Sequence, residues 1–357
     1  MTLRAMLTPS LCILPLLLSI AGAGAQTAAS APKTGELAVV SWGGSYQDAQ
    51  RQAYFDPFAK VTGVKVIEGT GPEIARTRAE VESGHPSFDL VSTNQAFNLV
   101  GQPLHLWVPI DYRYFDPQDL AAMPQSERQA TAVGTIVYSE AMAINTDGFK
   151  NGAPAPASWK DFWDTKDFPQ RRALPWCDLS QSPLPEAALM ADGVPLDNLY
   201  PLDIDRAARK LAELKDKVVW VKNNAQASQL LASGEVAMAM SPNGRVQTLI
   251  DKGAPLRIIW SQGRYTSDVW YVLKGAANVD NAMRFIAFAS RPEQQAKMAE
   301  LTGNGPTNPR AFALIDAATM KKLPNAPENL AHQVHKDETW WKDNREKWVA
   351  ACTAALM

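Results

Sequence analysis

Residues 36–68 read ELAVVSWGGSYQDAQRQAYFDPFAKVTGVKVIE, and this stretch decides the fold. Glu36 to Trp42 is a short apolar run rich in β-branched residues and closed by Gly43-Gly44, the pattern of a buried strand. Ser45 stands as an N-cap, and Tyr46, Ala49, Ala53, Phe58 and Val61 recur at helical spacing until Gly63. Val64 to Glu68 is a second strand. A strand, a helix and a strand in this order make a βαβ unit with parallel strands. The turn Trp42-Gly43-Gly44-Ser45 then sits at the carboxyl end of a parallel strand, where open α/β sheets hold their ligands.

The same alternation continues along the chain. Ile74 to Ser83 reads as a helix, and Phe88 to Ser92 as a strand with polar Thr93 and Asn94 at its exit. Val133 to Asn145 reads as extended chain. A second α/β set follows: strands at Ala173 to Cys177, Val218 to Val221 and Val236 to Met240, with helices from Asp203 to Asp216 and Asn224 to Ser233. Leu256 to Trp260 and Val269 to Leu273 are two further strands. Helices span Asn281 to Ser290 and Pro292 to Leu301, and the tail from Ala311 is mostly helical. No repeat of fixed period is present, which excludes a solenoid.

At 357 residues and 46% hydrophobic content the chain has enough material for two cores. A formal charge of −2, with no basic block, speaks against nucleic acid and membrane surfaces as partners. Eleven Trp is a high count; most are expected in the core, and any not needed for packing suit the walls of a small-molecule site. Arg4, the apolar Leu11 to Ile20 and the small Ala23-Gly24-Ala25 form an export signal over residues 1–25, too short to span a bilayer. Residues 26–35 read as a disordered leader. Cys177 and Cys352 remain after the signal; in an oxidising compartment they either pair, tying the tail to the body, or stay as two thiols. No His with an orienting acid stands at a spacing that would make either Cys a nucleophile. His332, His335 and Asp337 could touch one metal ion from a helix, but a solvated helical face explains them more simply; no HExxH, CxxC or phosphate loop is present.

Trp42-Gly-Gly-Ser-Tyr46, Phe58-Ala-Lys-Val-Thr-Gly-Val-Lys-Val66, Phe88-Asp-Leu-Val91, Ala143-Ile-Asn145, Ser158-Trp159, Gly234-Glu235-Val236, Asn243-Gly244, Asp268, Gly305-Pro-Thr307 and Trp340-Trp341 follow one another behind the signal. In that order the chain resembles an extracytoplasmic solute-binding protein of an ABC importer, of the group that binds polyamines and related amines such as 4-aminobutyrate. The resemblance covers nearly all of the chain beyond the signal. It implies an α/β, two-lobed periplasmic-binding-protein fold (type II) with a hinge between the lobes. Crossovers are expected near Ser139 to Ala143 and near Trp270 to Val272. Residues 36–139 plus 272–308 would form lobe 1, and residues 140–271 plus 309–357 lobe 2.

The resemblance also implies a ligand site. Asp268 matches the position whose carboxylate receives a ligand ammonium, and Arg245 matches a carboxylate clamp, where guanidinium geometry offers two parallel hydrogen bonds. Trp42 and Tyr46 lie on the turn that boxes the ligand with aromatic faces. Trp270 alternates with Asp268 and so shares its strand face. Thr93, Asn94 and, more loosely, Asp178 match hydrogen-bonding or acidic positions. Each also has a plain structural reading, in a turn, a cap or the core. Two departures matter. Pro242 stands where polyamine binders have an aromatic residue, and Gln181 or Ser182 stands where they have a second acid. A buried ammonium without a counter-charge is costly, so fewer acids plus an Arg favour a ligand with one amine and one carboxylate. The expected protein is a periplasmic monomer without cofactor or metal that hands an ω-amino acid or short polyamine to a membrane permease. The alternatives are another small organic acid or amino acid held by Arg245, or an enzyme on the same fold.

Overall fold

The computed structural model describes residues 35–150, 152, 154–179 and 182–357. The expected signal over residues 1–25, the leader apart from Gly35, and Gln181 lie outside the described residues.

The opening βαβ unit is present. Strands β1 (Glu36–Ser41) and β2 (Lys65–Thr70) run parallel, in register from Glu36↔Lys65 to Ser41↔Thr70. Between them run helical turns over Gly44–Gln50, a π-helical segment Arg51–Phe55 and a helix Asp56–Thr62. Gly43 and Gly44 take φ of 76° and 59°, and a Cβ on Gly43 would lie 3.2 Å from the Thr70 methyl group. A side chain there would be strained twice, once by the left-handed backbone and once by the neighbour. The Gly-Gly pair is what lets the chain leave β1 toward the cleft.

Strands β3 (Leu90–Asn94), β4 (Val133–Asn145), β5 (Arg172–Pro175), β6 (Val219–Val221), β7 (Met238–Pro242), β8 (Leu256–Val272) and β9 (Val334–His335) complete one sheet among the described residues, ordered β2-β1-β3-β8-β4-β7-β5-β6 with β9 beside β8. β8 differs from its sequence reading: Leu256–Trp260 and Val269–Val272 belong to a single 17-residue strand, with Leu273 just beyond its end. The polar Ser261-Gln262-Gly263 stretch between them is a bulge, across which the pairing with β4 shifts register. Gln262 takes φ 63° there and is fastened by Trp159, whose backbone N–H and Nε1–H donate to its Oε1 and carbonyl at 2.8 and 2.9 Å.

β4 and β8 are the strands common to both halves. On one side β8 pairs with β3 over Asp268–Val272, and on the other β4 pairs with β7 over Glu140–Ile144. The interior divides accordingly. Leu37, Phe58, Ile136, Trp270 and Phe285 pack in one core, and Met142, Trp159, Phe162, Leu189 and Trp348 in another. Trp270 to Val272 are already paired with β3, so β8 passes between the cores at Arg264–Asp268, slightly earlier than the expected crossover.

The tail also differs from expectation. His332 and His335 do not share a helix face: His335 is in β9, which pairs with Arg264–Tyr265. Asp337 caps the following helix, Glu338–Leu356, by accepting from the Trp340 N–H at 2.8 Å. That helix buries Trp341, Trp348, Cys352 and Leu356 at helical spacing. Cys352 is joined to Cys177 in a disulfide, which settles the alternative left open by the sequence. The bond closes a chain separation of 175 residues. Long closed loops lose most denatured-state entropy, so replacing either Cys by Ser is expected to cost about 2–5 kcal/mol. Thermal denaturation with and without reductant checks this: reductant should lower the Tm of the unmodified protein toward that of Cys352→Ser and leave the variant unmoved.

Candidate functional site

In a β-strand alternate residues share a face. On β8 this places Arg264, Thr266 and Asp268 together, and the antiparallel register sets Glu140, Tyr138 and Ile136 of β4 beside them. The result is a polar stripe at the passage between the two cores. Arg264, Thr266 and Asp268 are each also held from outside the two strands.

Asp268 is 5% exposed, and its Oδ2 accepts the indole Nε1–H of Trp42 at 2.8 Å. Burial pushes its carboxyl up to about 7; the Trp42 hydrogen bond and the Lys336 ammonium oppose the rise, while Glu338 adds to it. Thr266 donates its hydroxyl to Glu338 Oε1 at 2.9 Å, and Lys336 Nζ lies 2.7 Å from Glu338 Oε2. Arg264 is fully buried between two carboxylates, Glu140 and, at 2.9 Å, Glu186. Glu186 also accepts from Tyr200 Oη at 2.6 Å and from Trp341 Nε1 at 2.8 Å. Burial pushes the Glu140 carboxyl up to about 7 against the pull of Arg264, and pushes the Lys336 ammonium down against the pull of Glu338. Three buried carboxylates, Glu140, Glu186 and Glu338, thus hold two cations, and a fourth, Asp268, is held by an indole N–H. Such a cleft attracts a further positive charge.

The expected site residues fall into three groups. Trp42, Tyr46, Asn94 and Asp268 come together. Trp42 is 44% exposed while its indole N–H is engaged, so the ring remains open to a ligand. The Tyr46 hydroxyl is buried and feels the Asp268 carboxylate, yet closes no hydrogen bond of good geometry. Asn94 is the direct register partner of Asp268, and its side chain caps the Ala96 N–H. Thr93 is one residue out of phase, opposite Val269, with a buried hydroxyl that has no partner among the described residues.

Arg245 and Asp178 form the second group: both are exposed, and neither has a hydrogen bond or ion pair to Asp268 or Trp42 among the described residues. Arg245 is exposed on the first turn of the helix Asn243–Asp251 and has no ion pair among the described residues. Its neighbours fix that turn: Asn243 accepts the Ser139 N–H at 2.8 Å and donates to the Gly303 carbonyl at 2.7 Å. A Cβ on Gly244 would meet Asn304 at 3.0 Å. The Asn-Gly pair therefore anchors the helix start to the crossover. Asp178 is exposed and its carbonyl accepts from Arg345.

Trp270 stands alone and corrects the expectation. It shares the strand phase of Asp268 but is fully buried against Tyr54 and Phe285, with centroids at 6.3 and 5.2 Å, so it is a core residue rather than a cleft wall. Sequence reading also missed Tyr138, Glu140, Glu186, Arg264, Lys336 and Glu338. The available signal was the alternation Arg264-Thr266-Asp268 inside an otherwise sheet-forming run. No group of three or more side chains suited to a metal ion occurs among the described residues.

Comparison with known proteins follows this geometry. The profile of a family described as "Bacterial extracellular solute-binding protein" matches residues 53–328. A gamma-aminobutyric acid-binding protein from Pseudomonas aeruginosa is 35% identical over 330 residues, covering 90% of this chain and 91% of that protein. Among solved structures, an ABC transporter substrate-binding protein from Bradyrhizobium japonicum USDA 110 aligns with a TM-score of 0.82 at 37% identity, over 90% of this chain and 98% of the other. The structure described as Atu4243-GABA receptor aligns with a TM-score of 0.80 at 32% identity, over 90% and 98%.

The buried Asp268 has a consequence for stability. Its carboxyl binds a proton more tightly in the folded chain, so between the ordinary carboxylate value near 4 and about 7 folding takes up a proton. The stability this group confers is full below that window and is lost as pH rises through it, by at most about 1.4 kcal/mol per pH unit. In the ligand-free protein the Tm of Asp268→Asn relative to the unmodified chain is expected to rise between pH 5 and pH 8. A difference that stays constant across this range would refute the assignment.

Proposed function

The chain belongs to the bacterial extracellular solute-binding protein family, whose members serve ABC transporters, and from that premise we propose that it captures a small ω-amino acid such as 4-aminobutyrate. It is a binding protein rather than an enzyme, with the two-lobed α/β fold of its relatives. The observation that carries the ligand reading is Asp268: a buried carboxylate with, among the described residues, one N–H donor and no cation in direct contact, and an open indole face beside it. A primary ammonium placed there gains a charge pair and a cation–π contact, the second worth about 0.5–2 kcal/mol.

Arg245 supplies the other end. Exposed and unpaired among the described residues, it is free to close two hydrogen bonds on a carboxylate. These contacts exist together only when the lobes are shut, and a ligand shifts a hinge only through contacts that differ between its states. A relative named for this ligand, a gamma-aminobutyric acid-binding protein, supports the same chemistry. A polyamine is less well served. Pro242 is at the end of β7, opposite Glu140, where an aromatic wall would be required, and Ser182 is buried, its hydroxyl donating to Met240 Sδ. Delivery as a monomer to a permease, after export to the periplasm, completes the reading.

Isothermal titration with 4-aminobutyrate, glycine, a simple carboxylate and amines tests it. The protein should bind 4-aminobutyrate, and Asp268→Asn should cost about 2–5 kcal/mol, a loss of about thirtyfold to several thousandfold. Arg245→Gln should weaken the amino acid but leave a monoamine little changed. If Asp268→Asn binds 4-aminobutyrate with undiminished affinity, the ammonium does not sit on Asp268 and the reading falls.

A further inference from the structure

We propose that Lys336 is the residue that excludes diamines from this cleft, by holding from inside the protein the carboxylate that a second ligand ammonium would use. The proposal rests on the reading above, in which Asp268 receives the first ammonium.

Glu338 is the second acid within reach. Its Oε1 is hydrogen-bonded to Thr266, which shares a face of β8 with Asp268 and stands two residues away, about 7 Å along the strand. That spacing is comparable with the separation of the nitrogens in a four-carbon diamine. The Tyr138 hydroxyl, on the neighbouring strand, feels the charges of both Asp268 and Glu338. Both carboxylates therefore act on that one hydroxyl, and Asp268 in turn feels Glu338 and Lys336.

Lys336 fills the place that recognition of a second ammonium would demand. Its Nζ is 2.7 Å from Glu338 Oε2 and 6.0 Å from the centre of the Trp341 ring. An acid on one side and an aromatic face on the other is the chemistry that binds an ammonium. Here the ammonium is the protein's own, and the side chain is only 2% exposed. It is also tethered. The Lys336 backbone N–H donates to the Tyr265 carbonyl at 3.0 Å, and β9 immediately before it pairs with Arg264–Tyr265. Because the backbone is fixed to β8, the side chain has little room to swing out for a ligand.

An incoming diamine would meet Asp268 with one nitrogen and Lys336 with the other. The second ammonium would have to displace a buried ion pair or remain desolvated beside a like charge, and both are costly. An ω-amino acid avoids the conflict, since its second group is an anion directed to Arg245. Removing the Lys336 charge leaves Glu338 without that counter-ion and opens the place to a ligand cation.

The test titrates 4-aminobutyrate and 1,4-diaminobutane, by calorimetry and by thermal shift, into the unmodified protein, Lys336→Met, Lys336→Gln and the double variant Lys336→Met/Glu338→Gln. The unmodified protein should bind the diamine at least about a hundredfold more weakly than the amino acid. At least one single variant should gain about tenfold or more for the diamine relative to 4-aminobutyrate. The double variant should lack the gain. A merely structural lysine would give loss of binding or of stability, not a new ligand. Comparable affinity of the unmodified protein for both ligands overturns the proposal. So does failure of both single variants, purified with the diamine present throughout, to bind it better than the unmodified chain, whether or not they are recovered folded. Failure of the unmodified protein to bind 4-aminobutyrate would sink the ligand reading instead, and the diamine gain in the variants reports on Lys336 independently.

Discussion

A charge taken out of water must find its counter-charge inside the protein, and that constraint shapes the crossover. β4 and β8 have to belong to two separate cores and also bound a cleft, so at Arg264–Asp268 they leave apolar packing and carry polar groups instead. An uncompensated guanidinium there would cost several kcal/mol. Arg264 is tolerable because Glu140 arrives from the paired strand and Glu186 from a helix of the second core. Thr266 is satisfied by Glu338 and Asp268 by Trp42. The stripe thus depends on parts of the chain far from it in sequence.

That dependence explains the architecture of the tail. Glu338 and Trp341 open the C-terminal helix, and both reach the stripe: Glu338 through Thr266, Trp341 through Glu186 and the face it turns to Arg264 at 5.5 Å. For these contacts to have fixed geometry the helix itself must not slide. Trp348 and Leu356 seat it in the second core, and the bond from Cys352 to Cys177 fastens its far end beside the exit of β5. Arg345, midway along, holds the carbonyl of Asp178 in the same β5 exit. The helix acts as a strut between the exit of β5 and the crossover, and the disulfide stiffens a site from which it is distant.

The fold was legible where its signals are local. The turn glycines after β1, the bounds of β4 and the helical spacing between β1 and β2 need no knowledge of distant residues, and the structure has them. β8 reads as two strands in the sequence because the strand pattern lapses between Trp260 and Val269; contacts from Trp159, 103 residues away, hold the bulge that bridges them. Trp270 was placed beside Asp268 for a sound reason, the two-residue period. Period fixes the face but not the depth, and two residues along β8 the environment changes from cleft to core. The buried ion network was the least legible part. Glu186 and Glu140 are 78 and 124 residues from Arg264, and an isolated Glu in a helix or strand carries no mark of its partner. Asp268 was found by resemblance, while the alternation Arg264-Thr266-Asp268 would have pointed to the stripe without it.

The two ends of the proposed ligand meet surfaces prepared in opposite ways. Asp268 is fixed by its strand, by burial and by the Trp42 N–H, so its ordering cost is met when the chain folds. Arg245 is a solvated side chain on a helix turn, and a long cationic side chain gives up as much as about 2 kcal/mol of rotamer entropy when it is fixed. The ammonium end is therefore the preformed contact and the carboxylate end the conditional one. A solute lacking the anion can still reach Asp268 but cannot recover the cost of ordering Arg245. The free energy that separates a shut cleft from an open one is then concentrated at the carboxylate end, because the contact at Asp268 is built before the ligand arrives and the contact at Arg245 is made only with it.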